Sequence, residues 1–332
     1  MANAKPDLST RYLGLELRNP IVVASSGLTQ TAEKVSACAA AGAGAVVLKS
    51  LFEEQITAQV GALVDASEAH YWHAEAAEYI QSYGRQNAVS EYLALIREAK
   101  AATDIPVIAS VHCVSAEQWT TFARQIEQAG ADALELNVFV MPSDRRRSAR
   151  ETEQVYFDIL ARVREQVSLP VALKIGFFFS NLSQMIYRLG QSGASGLVLF
   201  NRFFQPDIDI DKFELLPAPY LSTPEESHLP LRWIALMSGE VTCDLAATTG
   251  IHDGAAVVKQ LLAGAQVVQV ASTLYKHGLE RIGAMRDELA AWMERYDFAR
   301  LDDFRGRLSQ RSAEDPAAYE RVQFMKLSVG IE

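Results

Sequence analysis

Polar residues stand at the ends of several buried apolar runs in this sequence, where side chains able to do chemistry would meet. Lysines close two of these runs, at Lys49 and Lys174. A lysine at the end of a buried strand is costly unless an anion or solvent compensates its charge, so we expect a bound negative group nearby. Asn137 and Asn201 close two further runs. A carboxamide both donates and accepts hydrogen bonds, which suits a planar heterocycle with alternating N–H and C=O edges.

The segment 240–275 reads as a strand, a glycine-containing turn, a helix and a second strand. Its first apolar run, Val241–Ala246, leads into Thr249-Gly250, and its second run ends at Ser272. Exposed N–H groups and helix N-termini at such places bind phosphate, and in a (β/α)8 barrel this site follows the last two strands. A pair of ordinary βα turns is the alternative. Together with the lysines and asparagines, the segment predicts a ring-bearing phosphate cofactor, and FMN fits best.

The chain repeats a pattern in which a buried apolar run follows either a proline or a Gly-Ala pair. Proline is allowed at the first residue of a strand, and glycine suits the left-handed end of a helix. Such runs follow Pro20, Gly44, Pro106, Gly130, Pro170, Gly193 and Gly264, and Val241–Ala246 completes the set. Helical patterns separate most of them, at Ala32–Ala41, Val89–Ala101, Ala116–Ala129, Ser148–Val167, Leu182–Leu189, Leu231–Met237 and Asp253–Leu262. Continuous apolar strands between helices predict an α/β fold, a closed (β/α)8 TIM barrel, with a doubly wound open sheet as the alternative.

Two long segments interrupt this rhythm after the second and sixth predicted strands, at Leu51–Gln86 and Arg202–His228. Insertions at that end of a barrel sit on the catalytic face, so we expect a substrate-covering lid, with surface decoration or an oligomer contact as the alternative. Short helices are predicted beyond the barrel at Leu301–Leu308 and Tyr319–Leu327. We expect one barrel domain over 1–308 and a short C-terminal helical extension over 309–332.

Composition narrows the class of protein further. The 332 residues carry 31 basic and 41 acidic side chains, a net charge of −10, which disfavours a general nucleic-acid or anionic-membrane binder. The three cysteines are far apart in sequence and form no CxxC pair, so no metal site is predicted. No apolar run approaches the length of a membrane span, and we expect a cytoplasmic protein.

Seven motifs, taken in their order and spacing, resemble those of a known family. The chain resembles the dihydroorotate dehydrogenase family of FMN barrels, including the pyrimidine-reducing barrel domain of dihydropyrimidine dehydrogenase. The motifs are RNPIVVASSG (18–27), GAVVLKS (44–50), IPVIASVHC (105–113), GADALELN (130–137), LPVALKIG (169–176), GLVLFN (196–201) and ATTGIHDGAAVVKQLLAGAQVVQVASTLY (247–275).

The resemblance implies a role for each strand end. Ser26-Gly27 contacts the flavin, Lys49 lies beside the ring, and Lys174 faces the N1–C2=O edge, where its charge stabilises the reduced flavin. Asn137 touches both flavin and substrate. The N–H groups for the phosphate come from the last two βα turns, with Ser222 as a further turn on that side. The predicted cofactor set is Ser25, Ser26, Gly27, Lys49, Ser50, Asn137, Lys174, Asn201, Ser222, Thr249, Gly250, Ala271 and Ser272.

The sequence departs from the family pattern after the strand that ends in Asn137. The family has a short polar stretch there whose Cys or Ser takes the C5 proton of dihydroorotate. Here that position falls on Val140 or Met141, neither of which accepts a proton. Ser143 and Asp144 are the nearest candidates to act as the catalytic base.

The substrate side departs from the pattern as well. The resemblance implies that Asn137 and Asn201 hold the substrate ring, with Gln81 in a loop where the family has another asparagine. Arg202 follows Asn201, in place of a small hydroxyl residue. These four residues form the predicted substrate site.

Our first hypothesis is an FMN-dependent oxidoreductase that passes hydride between flavin N5 and a dihydroorotate-like or dihydropyrimidine-like substrate. The second is a non-catalytic or partner-dependent flavoprotein subunit, because the usual base is missing. The third is a Schiff-base lyase on a phosphate-binding barrel, with Lys174 as the amine nucleophile. We expect a small pyrimidine-like substrate, a homodimer, and an electron-transfer partner as a further possibility.

Overall fold

A ring of parallel strands forms the centre of the molecule. The computed structural model describes residues 5–52, 74–112, 120–202, 206–217 and 221–320. Thirteen strands are present in these ranges: β1 Thr10–Tyr12, β2 Leu15–Leu17, β3 Ile21–Val23, β4 Ala45–Val47, β5 Leu51–Phe52, β6 Val107–His112, β7 Ala133–Asn137, β8 Val171–Ile175, β9 Gly196–Leu199, β10 Pro206–Asp209, β11 Glu214–Pro217, β12 Asp244–Thr248 and β13 Val267–Val270. Strands β3, β4, β6, β7, β8, β9, β12 and β13 pair in parallel, and the β4–β6 pairing closes the ring. The predicted TIM barrel is confirmed, and the open sheet is excluded.

Helices alternate with the barrel strands as the periodicity predicts. Their bounds are α1 Ala32–Ala40, α2 Ala74–Ala102, α3 Thr120–Gln128, α4 Ala149–Arg164, α5 Leu182–Gln191, α6 His228–Met237, α7 Gly254–Ala263, α8 Ser272–His277 and α9 Glu280–Arg295. Side-chain caps begin several of them. Thr31, Ser148 and Asp253 each accept an N–H from the first turn of α1, α4 and α7, which satisfies backbone donors that have no partner within the helix.

The barrel has two apolar cores, which explains why its strands are apolar on both faces. The inner core combines alternate strand residues, such as Val47, Ile108 and Val198, with Tyr12 and Leu17 of the β1–β2 hairpin. The outer core packs the other strand residues against the helices. Because both faces of each strand are buried, the sequence shows continuous apolar runs instead of alternation.

The β1–β2 hairpin plugs the end of the barrel at which the strands begin. Its turn residue Leu13 donates its backbone N–H to Asp244 Oδ2 at the start of β12, with a distance of 2.7 Å. A Cβ on Gly196, the first residue of β9, would lie 2.6 Å from Leu13 Cδ2, so a larger residue there would require the Leu13 side chain to move. With this end closed, the carboxyl ends of the strands form the open face of the barrel.

Several element bounds differ from the sequence predictions. The seventh barrel strand is Asp244–Thr248 and not Val241–Ala246, because Glu240 and Val241 donate their N–H groups to Met237 O and belong to the turn after α6. Helix α2 begins at Ala74 and not Val89. The second of the long segments contains the β10–β11 hairpin, and α9 was not predicted. The C-terminal region has short 3-10 turns at Leu301–Asp303 and Pro316–Tyr319.

Some predictions fall outside the described residues. Residues 53–73 of the first long segment, the start of the helix predicted at Ala116, and residues 321–332 belong to this group. The lid function of both long segments and the division at residue 308 remain predictions. Across the ranges that the structure describes, no helix is long and apolar enough to cross a membrane, and no group of three or more His, Cys, Asp or Glu side chains is placed to hold a metal ion.

Candidate functional site

A cavity of about 130 Å³ opens at the carboxyl ends of the strands and brings together eight of the predicted site residues. Those eight are Ser25, Lys174, Arg202, Ser222, Thr249, Gly250, Ala271 and Ser272. They come from β3, β8, β9, β12, β13 and the loops that follow, which are far apart in sequence and adjacent in the barrel. The remaining wall includes Phe200, Thr248 and Gln269. The cavity therefore lies at the place where barrel enzymes bind their ligands.

One side of the cavity is a set of small residues with close backbone approaches. Ser222 donates its N–H to Ser272 Oγ at 3.0 Å, and Gly250 donates its N–H to Ser222 Oγ at 3.4 Å. Thr249 and Gly250 have φ values of 78° and 77°, so two successive residues adopt the left-handed conformation. A Cβ on Gly250 would lie 2.1 Å from Ser227 N, and no larger residue fits. These turns produce a compact cradle of N–H and hydroxyl groups, which we call the small-residue cradle.

Basic groups surround the small-residue cradle, although the chain as a whole is acidic. Lys276 Nζ donates to Ser222 O at 2.7 Å, and Arg281 Nε donates to His252 O at 2.9 Å. His252 Nε2 lies 3.1 Å from Ser222 Oγ. Burial, followed by the positive charges of Lys276 and His277, lowers the pKa of His252. Arg281 is also paired with Glu288 Oε1 at 3.2 Å, so Lys276 is the basic group beside the cradle that most favours a bound anion.

Lys174 also lines the cavity and belongs to a buried network. Its Nζ donates to Gln269 Oε1 at 3.1 Å and lies 3.8 Å from Glu135 Oε1. Gln269 Nε2 in turn donates to Glu135 Oε2 at 2.5 Å. The Lys174 side chain is 11% exposed and that of Glu135 only 1%. The anion that we expected beside Lys174 therefore includes a carboxylate of the protein itself.

Two predicted asparagines stand next to Lys174. Asn137 ends β7 directly opposite Lys174 on β8. Its amide oxygen is buried and has no hydrogen-bond partner among the residues that the structure describes. Asn201 is buried after β9, and its Nδ2 donates to Lys174 O at 3.2 Å. Asn201 therefore fixes the end of β8, and the Asn137 oxygen is an unused acceptor, although neither asparagine is among the residues that line the cavity.

The β3 side contains the predicted serines. Ser25 Oγ lies 3.0 Å from Ser50 Oγ, which lies 2.7 Å from Ser110 Oγ. Ser26 caps the 3-10 turn Gly27–Thr29 by accepting the N–H of Leu28. Ser50 thus supports Ser25, which lines the cavity, while Ser26 and Gly27 shape the loop beside it.

Three further predicted residues come from the end of β4, from helix α2 and from the loop after β9. Lys49 follows β4 and is half-buried. Gln81, which we expected in a loop, lies within helix α2, and its side chain is outside the described part of the structure. Arg202 Nε donates to Glu226 Oε1 at 2.9 Å at the cavity wall.

The predicted base residues occupy an exposed segment after β7. Ser143 and Asp144 are both exposed and are not among the residues that line the cavity. Asp144 Oδ1 accepts from Arg146 Nε at 3.1 Å. This hydrogen bond, with the backbone N–H of Arg146, lowers the pKa of Asp144, so the carboxylate is a weak base in this arrangement.

Comparison with known proteins decides the family. The family model described as dihydroorotate dehydrogenase matches residues 7–293, which is most of the chain. The chain belongs to the dihydroorotate dehydrogenase family. The resemblance seen in the sequence is thereby confirmed.

Similarity to curated members of the dihydroorotate dehydrogenase family is low but extends along the chain. The catalytic subunit of dihydroorotate dehydrogenase B (NAD(+)) from Thermoplasma volcanium is 26% identical over 310 residues, with 90% of this chain and 98% of that protein covered. The same subunit from Methanothermobacter thermautotrophicus is 25% identical, with 90% of this chain and 97% of that protein covered. The chloroplastic dihydropyrimidine dehydrogenase (NADP(+)) of Arabidopsis thaliana is 25% identical, with 92% of this chain and 78% of that protein covered.

The sequence did not lead us to predict two members of the buried network around Lys174. Glu135 and Gln269 each stand inside an apolar strand, in ALELN and VVQV. A charged or amide side chain within such a run needs a buried partner, and this signal was available. The basic residues Lys276 and Arg281 were also missed, because their distance from the cradle depends on how α8 and α9 fold back.

Proposed function

We propose that the protein binds FMN in the cavity and catalyses hydride transfer between the flavin and a small dihydropyrimidine-like molecule. The observation that carries this proposal is a single cavity that is lined both by Lys174 and by the small-residue cradle. A flavin mononucleotide has a ring edge that gains negative charge on reduction and a phosphate at the end of its side chain. The Lys174 ammonium suits the ring edge, and the small-residue cradle suits the phosphate.

The buried amide oxygen of Asn137 supports the fit of a ring with N–H groups. Burying an acceptor without a partner costs about 1–3 kcal/mol, and a ligand donor would recover that energy. When bound, FMN would supply N5 as the hydride donor or acceptor. The chain would bind the phosphate at Thr249-Gly250 and Ala271-Ser272 and hold the ring edge at Lys174.

The substrate side rests on Asn137, Asn201, Gln81 and Arg202. Arg202 lines the cavity and is partly neutralised by Glu226. An arginine there would attract a carboxylate, which dihydroorotate has and dihydrouracil lacks. We therefore place dihydroorotate first among candidate substrates and dihydrouracil second.

The proton that leaves the substrate carbon needs an acceptor. Ser143 and Asp144 remain our proposed candidates, supported by their place in the segment after β7, which in the family carries the base. Their exposure favours a partner-dependent flavoprotein as the second candidate function. Several relatives are named catalytic subunits, which supports an electron-transfer partner for this chain. A homodimer and a cytoplasmic location remain part of the proposal.

Anaerobic titration tests the proposed activity. Protein reconstituted with FMN is mixed with dihydroorotate or dihydrouracil, and the flavin absorbance is followed by stopped flow. We expect bleaching with dihydroorotate, and the Arg202→Gln variant should lose much of that rate without losing FMN. If the protein binds flavin and neither compound bleaches it, the proposed dehydrogenase activity is refuted, and the hypothesis of a partner-dependent flavoprotein remains.

A lyase with Lys174 as nucleophile predicts a different result. Borohydride treatment in the presence of a carbonyl compound would then leave a covalent mass adduct on Lys174. We expect no adduct, because the Lys174 ammonium is paired with Glu135 and hydrogen-bonded to Gln269.

A further inference from the structure

Glu135 is a buried carboxylate directly beside the residue that we place against the flavin ring. It lies in the middle of β7, and its side chain is 1% exposed. Its strand neighbours Leu134 and Leu136 pack in the outer core, while Ala133 packs in the inner core. Because strand side chains alternate, Glu135 faces the barrel interior, below the mouth of the cavity.

Three strands combine to hold this carboxylate against Lys174. Gln269 on β13 uses both ends of its amide, because its oxygen accepts from Lys174 Nζ at 3.1 Å and its nitrogen donates to Glu135 Oε2 at 2.5 Å. The second carboxylate oxygen, Oε1, makes no hydrogen bond within the described part of the chain and lies 3.8 Å from Lys174 Nζ. The Gln269 amide therefore holds the Lys174 ammonium in position, and the Glu135 carboxylate compensates part of its positive charge.

The negative charge of Glu135 also reaches the plug of the barrel. Burial, and after it the charge of Glu135, raises the pKa of Tyr12 well above its ordinary value. A carboxylate whose field is felt at Tyr12 is poorly screened by solvent. The same charge acts on Lys174, whose Nζ lies 3.8 Å from Glu135 Oε1.

We infer that Glu135 is a positioning residue that holds Lys174 through Gln269 and lowers the redox potential of the flavin. This inference rests on the proposed FMN site. A reduced flavin carries a negative charge at its N1–C2=O edge, so an uncompensated lysine there favours the reduced form. Glu135 offsets part of the Lys174 charge and therefore reduces that preference.

The test measures the midpoint potential and the affinity of FMN for wild type, Glu135→Gln and Glu135→Asp. Glu135→Gln removes the charge at nearly constant shape, and we expect the preference for reduced over oxidised flavin to rise at least tenfold. For a two-electron couple this equals a potential increase of about 30 mV. Glu135→Asp keeps the charge and moves it away from Nζ, so its potential should lie between the other two. Since aspartate retains a negative charge in the same buried position, this variant keeps the test available if the glutamine variant does not fold.

Two controls separate a redox role from a structural one. Glu16→Gln removes one negative charge on the exposed face of β2 and should leave the potential at the wild-type value. In a Lys174→Gln background, the additional change Glu135→Gln should have little effect, because the charge that it offsets is gone. An equal shift with and without Lys174 would overturn the inference, as would an unchanged potential in Glu135→Gln. Wild-type protein that binds no FMN would refute the proposed function itself, which is a distinct outcome.

Discussion

Replacing Gly250 by alanine should destabilise the protein by more than the cost of the left-handed backbone conformation alone, because the new methyl group would also clash with backbone atoms. Gly250 has a φ of 77°, and a new Cβ would lie 2.1 Å from Ser227 N and 2.7 Å from Glu226 C. Both contacts are with backbone, so a rotamer change cannot relieve them. A left-handed alanine costs about 1–2 kcal/mol, and forcing an extra methyl group into a packed site costs about 1–3 kcal/mol.

Gly130 provides a matched control, because alanine there would also adopt a left-handed conformation but would meet no clash. Its φ is 94°, and an added Cβ would meet nothing within 4 Å. We expect Gly130→Ala to lower the free energy of unfolding by about 1–2 kcal/mol and to leave FMN affinity unchanged.

The two variants are compared by urea denaturation of the apoprotein and by fluorescence titration with FMN. Gly250→Ala should lose about 2–5 kcal/mol of unfolding free energy, from the two costs together. It should also bind FMN at least about tenfold more weakly, a change of about 1.4 kcal/mol. Equal stability losses in both variants, with wild-type FMN affinity in Gly250→Ala, would refute the geometry that we assign to the cradle.

Three further predictions concern the same face. Ser272→Ala removes the acceptor of the buried Ser222 N–H, so denaturation should show a loss of about 1–3 kcal/mol, whereas an unchanged unfolding free energy would mean that this bond is dispensable. Because the folded chain lowers the pKa of His252 below 6.5, the stability that its neutral form gives is complete above pH 6.5 and falls as the pH drops towards the folded pKa. Denaturation between pH 7.5 and 5.5 should show this slope, and His252→Gln should flatten it. Ser143→Ala and Asp144→Asn should bind FMN as wild type does, because both side chains are exposed away from the cavity. A fall of about 100-fold or more in the flavin reduction rate would identify the base, and wild-type rates in both would remove these residues from the chemistry.

The barrel was predictable because burial on both faces imposes a pattern that the chain repeats. Gly-Ala and proline entries, such as Gly264 and Pro170, marked the strand starts, and the polar residues after the strands marked the open face. Lys174 and Ser272 were found in this way on one cavity. These features are local in sequence, so they can be recognised without knowledge of the fold.

The features that escaped prediction depend on contacts between distant segments. The β1–β2 hairpin has short strands and no long apolar run, and its role as a plug depends on Leu13 meeting Asp244 and Gly196. The Glu135–Gln269–Lys174 network requires the register of the closed ring. The loop expected around Gln81 is helical, because α2 begins at Ala74.

An absorption spectrum of the purified apoprotein titrated with FMN tests the central claim most directly. We predict one FMN per chain, a shifted flavin spectrum that dithionite bleaches, and a clear loss of affinity in Gly250→Ala relative to Gly130→Ala. A flavin spectrum that stays identical to that of free FMN at all protein concentrations would contradict the account.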